Sequence, residues 1–84
     1  MSESLRTLAT IESVAERAHT VLQNLLDCNP VIRVIDTGTS HEVRCYLPSA
    51  AHTAGAFKAL EPVFRNCNQI SVVSNVIVSR FFYT

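Results

Sequence analysis

Residues 69–84 constrain the fold more than any other stretch of this chain, because they read as strand and are apolar on both alternating faces. One face holds Ile70, Val72, Val76, Val78 and Phe82; the other holds Val73, Ile77, Phe81 and Tyr83. A strand with two apolar faces needs cover on both sides. As one straight strand the segment would run roughly 50 Å at about 3.3 Å per residue, against a radius of gyration of roughly 12 Å for a domain of this size. It must fold back or find a partner. Ser74-Asn75 is the one short polar pair at which it can turn, a weaker hairpin signal than Asn-Gly.

Upstream, Leu8, Ile11, Ala15, Ala18, Leu22 and Leu25 recur at spacings of three and four, widened by Val14 and Val21, while Glu12, Glu16, Gln23 and Asp27 lie opposite. This predicts an amphipathic helix from about Ser4 to Cys28. Ser2 or Ser4 caps its start, and Asn29-Pro30 stops it, since the residue before a proline is driven out of the helical region. Val31–Thr37 and His41–Leu47 are β-branched runs on either side of Gly38, which predicts an antiparallel hairpin with a four- or five-residue loop. In its second strand Val43, Cys45 and Leu47 form the core face, and Glu42, Arg44 and Tyr46 the other. Pairing Val43 with Val34 and Cys45 with Ile32 then keeps Arg33 out of the core.

Ser49 is placed to cap a second helix through Ala51, Phe57, Leu60 and Phe64. Pro62 ends the regular part of that helix near Leu60, because an interior proline costs about 3 kcal/mol, and a kinked turn carries Val63 and Phe64 inward. Gly55, Ala51, Ala54 and Ala59 are expected to pack closely against Ala15 and Ala18 of the first helix.

The resulting fold class is α+β, a two-layer sandwich with two helices on one face of a three- or four-stranded, mainly antiparallel sheet. The element order is αββαββ, or αββαβ if the last segment is one long strand. Such an order equals a ferredoxin-like arrangement whose first strand has moved to the end, which makes the final strand central. Residues 1–84 are expected to form a single domain, and 84 residues bury enough surface for a modest core without staples.

An apolar fraction of 48% against 17% charged excludes a disordered tail. Seven basic side chains balance seven acidic ones, so no global field draws nucleic acid or an anionic membrane. The sequence has no apolar run of the roughly 18 residues that a membrane span needs, and its first residues lack a secretory pattern; a soluble, cytoplasmic protein is expected. Cys28, Cys45 and Cys67 are odd in number and widely spaced, which suits reduced thiols rather than a disulfide framework.

Chemistry-bearing patterns are sparse. His19, His41 and His52 with the three cysteines lack the close ligand pairs of a zinc site and read as ordinary thiols and surface histidines. No cysteine has an evident activating partner, Ser49 and His52 lack an acidic orienter, and neither glycine belongs to a phosphate loop. No catalytic residue, metal site or cofactor is expected.

The strongest functional feature is the sheet face turned away from the helices, where Val31, Arg33, Ile35, Arg44 and Tyr46 gather. Arginine and tyrosine are enriched at the energetic centres of protein interfaces. These five residues are the expected partner-binding set, engaging a protein partner or a second copy through the open sheet face or the last strand. The leading expectation is a small non-catalytic module that occupies the surface of a larger protein or complex. An inhibitor of a host system encoded by a phage or mobile element, anti-CRISPR-like in kind, would be such a module, on size and missing chemistry alone. The alternatives are a sheet protein that stacks single-stranded nucleic acid, against which the zero net charge argues, and a structural subunit of an assembly.

Overall fold

A computed structural model of the protein describes residues 8–27 and 29–82. In chain order it comprises α1 (Leu8–Leu26), β1 (Val31–Asp36), β2 (Ser40–Tyr46), a single 3-10 turn (Ala50–His52), α2 (Thr53–Leu60), β3 (Gln69–Val73) and β4 (Val76–Phe82). The four strands form one sheet in the order β1-β2-β4-β3, and every neighbouring pair is antiparallel. With both helices packed on one face, this is the two-layer α+β sandwich that the sequence predicts, in its four-stranded form. The permuted strand order places β4 in the interior of the sheet.

The terminal segment folds back at Ser74-Asn75, and Ser74 adopts a φ of 56° to do so. Only a hairpin fits, since the longest dimension of the fold is 36 Å. Asn75 Nδ2 donates to the Leu47 carbonyl at 2.7 Å, the Leu47 N–H donates to the Asn75 carbonyl at 2.8 Å, and the Thr53 hydroxyl donates to the Ser74 carbonyl at 3.0 Å. A turn with weak intrinsic preference is thus held by Leu47, just after β2, and by Thr53, the first residue of α2.

The first hairpin has the expected register, Val34 opposite Val43 and Ile32 opposite Cys45. Its loop is three residues, shorter than expected, because β2 starts at Ser40 and Gly38 turns the chain at φ 93°, a conformation that favours glycine. The Asp36 carboxylate accepts from the Gly38 N–H at 2.8 Å and fixes the turn.

Ile11, Val14, Ala18 and Leu22 of α1 meet Ala56 and Leu60 of α2, Val63 and Phe64 beyond it, and Val43, Cys45, Ile77 and Phe81 of the central strands. Alternation along β2 and β4 sends these four strand residues toward the helices, while a 3.6-residue period aligns the α1 set on one stripe. Ser79 shares the inward face of β4, and its hydroxyl donates to the Val43 carbonyl at 3.5 Å.

Several expectations are corrected. Leu25 lies off the buried stripe and is 48% exposed; Leu26, one residue on, packs against the core instead. The helix ends at Leu26 because Asp27 turns left-handed (φ 54°), which an aspartate tolerates, so the stop precedes Asn29-Pro30. Its start near Ser4 lies outside the described residues. Ser49 makes no side-chain cap: its carbonyl accepts from His52 N–H at the 3-10 turn, and α2 begins only at Thr53. Leu60 is buried as expected, but with the later start Ala56 joins it inside, Phe57 is only half-buried, and Ala51 falls in the 3-10 turn and is exposed. Gly55 is exposed and a Cβ there would meet nothing, so close helix packing rests on Ala18 and Ala56 instead. His41 is buried rather than on the surface.

Candidate functional site

The antiparallel register builds the helix-free sheet face in cross-strand rows. The first row is Val31, Tyr46, Val76 and Val73; the second is Arg33, Arg44, Val78 and Ser71; the third is Ile35, Glu42, Arg80 and Gln69; and Ser40 with Phe82 closes the fourth. All five residues expected from sequence lie on this one face. Val31, Val73 and Phe82 are 50%, 66% and 44% exposed, so apolar surface faces outward at its two ends. A shallow recess lined by Asn29, Pro30, Val31, Tyr46, Leu47 and Pro48 adjoins the apolar row.

Charge is concentrated in the middle. Glu42 is only 5% exposed although no helix covers it. Its Oε2 accepts from Arg80 Nε at 2.8 Å, and its Oε1 accepts from Arg44 Nη2 at 2.8 Å and Nε at 3.0 Å. Arg80 Nη1 also donates to Gln69 Oε1 at 3.0 Å, so one polar chain crosses β2, β4 and β3. The hydrogen bond from Arg80, and then that from Arg44, hold the Glu42 carboxyl below its ordinary value, against a smaller opposing effect of burial than that of Arg80. The Arg44 guanidinium is raised, first by Glu42 and then by the Tyr46 side chain.

Arg33 stands apart. It sits directly opposite Arg44, and like charges facing each other across a strand pair are destabilising. Arg44 is compensated by Glu42, whereas Arg33 has no ion-pair partner among the described residues. Sequence reasoning put Glu42 on this face without a role and missed Arg80 altogether. Alternation along β4 would have placed Arg80 beside Phe82, but only the β2–β4 register, between segments far apart in the chain, brings it onto Glu42.

The last strand cannot serve as a docking edge. Both backbone edges of β4 are used, by β2 and by β3, and only its outward side chains reach a partner. The free edges belong to β1 and β3.

Burial pushes the Cys45 thiol up to about 12, which keeps it protonated and unreactive at neutral pH. Among the described residues no group of three or more His, Cys, Asp or Glu side chains is arranged to hold a metal ion, and no helix is long and apolar enough to cross a membrane. No protein family, curated protein or solved structure matches this chain.

Proposed function

We propose that the protein is a non-catalytic binding module whose open sheet face docks on an apolar, acid-bearing surface of a larger protein. The observation that carries this reading is the uncompensated Arg33 set among outward-facing valines on a sheet face that no helix covers. A partner carboxylate placed between Arg33 and Arg44 would relieve their repulsion, and Val31, Val73 and Val76 would supply apolar area around it. The recess beside Pro30 and Pro48 suits one anchoring side chain of the partner.

Area and charge together constrain the occupant. Four strands about 4.8 Å apart and three to four rows about 6.8 Å apart make a face of roughly 400–500 Å², against about 800 Å² per partner in a standard interface. The partner therefore overhangs the sheet and also touches its flanking loops. A second copy laid face to face would bring three arginines and one already saturated glutamate against the same set, which disfavours a homodimer through this face. In cellular terms the module would act in the cytoplasm by masking a working surface, as phage- or mobile-element-encoded inhibitors of host systems do.

The test is affinity capture from native-host lysate, with wild-type protein and Arg33→Glu as paired baits and light scattering on the purified chain. The expected outcome is a monomer that retains one acidic partner, lost from the Arg33→Glu bait. Equal capture by both baits refutes the site. Submicromolar binding of oligonucleotides that weakens steeply with salt would replace the protein partner by single-stranded nucleic acid.

A further inference from the structure

On the helix side of the sheet, remote from the open face, a groove of about 120 Å³ lies between α1 and residues 61–66. Arg17 of α1 and Arg65 of the 61–66 turn both line it, together with the Ser13 hydroxyl and the Asn66 amide, and no acidic side chain does. Val63 and Phe81, both nearly inaccessible, form its apolar floor. Neither arginine has an ion-pair partner among the described residues, in contrast to Arg44 and Arg80, which share Glu42.

We propose that this groove binds the phosphate group of a small phosphomonoester. Both cations line one recess with no acidic side chain beside them there, so an anion bound in it would be attracted by each. Each guanidinium presents a planar fork of N–H donors that matches two phosphate oxygens, and the Ser13 hydroxyl can donate to a third. A carboxylate, with two oxygens and one charge, leaves part of this donor set unused. The groove is well below the roughly 300 Å³ at which sites for whole drug-sized ligands begin, so it takes the phosphate and a short apolar substituent against Phe81, and no nucleoside.

Amide-resolved NMR titrations with phenyl phosphate, inorganic phosphate and benzoate at constant ionic strength test the assignment. Saturable shifts are expected at Ser13, Arg17, Arg65 and Asn66, with phenyl phosphate tightest and benzoate weakest. Loss of one charge-assisted contact corresponds to about tenfold or more in affinity, so Arg17→Gln and Arg65→Gln should each show such a loss with an unchanged melting temperature. Lys58→Gln, on an exposed position of α2 away from the groove, should bind as wild type does. Shifts that stay linear into the tens of millimolar, or binding that survives both arginine substitutions, mean an adventitious ion only and overturn the site. Because the groove and the open face lie on opposite sides of the sheet, loss of partner capture by Arg33→Glu is unaffected by either outcome.

Discussion

The rotation of α2 is open to a quantitative test through Leu60 and Phe57. Leu60 is fully inaccessible, while Phe57 only packs against the margin of the core. Truncating a buried leucine to alanine costs about 2–5 kcal/mol, and truncating a fully buried phenylalanine about 3–5 kcal/mol. With its ring half-buried, Phe57→Ala should therefore cost about 1.5–2.5 kcal/mol, less than Leu60→Ala although more atoms are removed. A chain of this length has a total stability of roughly 4–13 kcal/mol, so Leu60→Ala consumes a large share of it. At about 4–8 °C per kcal/mol, the melting temperature falls by at least about 8 °C in Leu60→Ala. Urea unfolding with a common slope, so that midpoints compare directly, is the appropriate assay. The two residues differ by about 60° around the helix axis. A larger loss for Phe57→Ala than for Leu60→Ala would mean that α2 is turned by about that angle, and would refute the core described above.

Glu42→Gln should lower stability at neutral pH by an amount that shrinks on acidification. The folded carboxyl sits below its ordinary value of 4.5, so its contribution is complete above that value and is lost as pH falls through the lowered one; a difference from wild type that stays constant down to about pH 3 contradicts the sign. On the open face, Arg33→Glu should abolish partner capture with little effect on folding. Arg44→Glu should harm both, because it sets a second carboxylate beside Glu42, and equal melting temperatures for the two variants would show that Glu42 does not depend on Arg44. Under native conditions Cys67, which is only partly buried, should be alkylated well before Cys45, as peptide mapping would show; the reverse order would place Cys45 outside the core.

Much of the fold was legible because alternation leaves few choices. Val43 and Cys45 fix one face of β2, and the register with Val34 and Ile32 follows from keeping Arg33 outside. Length and the polar Ser74-Asn75 pair made a turn there the leading reading but left one long strand open; what secures the turn, Asn75 on Leu47 and Thr53 on Ser74, arises only once distant segments meet. Local signals failed where tertiary contacts decide. Ser49 has the chemistry of a cap, yet the chain first makes a 3-10 turn, which leaves Ala51 outside α2 and brings Ala56 inward beside Leu60. The five open-face residues shared a side as expected, but the burial of Glu42 depends on Arg80, supplied by a strand distant in sequence. The pairing of Arg17 with Arg65 in one groove has the same origin: each is an ordinary surface cation until α1 and the 61–66 turn are packed together.

The interior position of β4 also sets an order of events during synthesis. Val43 and Ser79, which face each other across β2 and β4, are separated by 36 residues, so the β1–β2 hairpin leaves the ribosome with the inner edge of β2 unsatisfied and its helix-facing valine and cysteine uncovered by β4. At about 5–20 residues per second that edge stays open for roughly 2–7 s. The chain cannot settle piecewise. Its sheet closes late, when the β3–β4 hairpin brings β4 onto the free inner edge of β2.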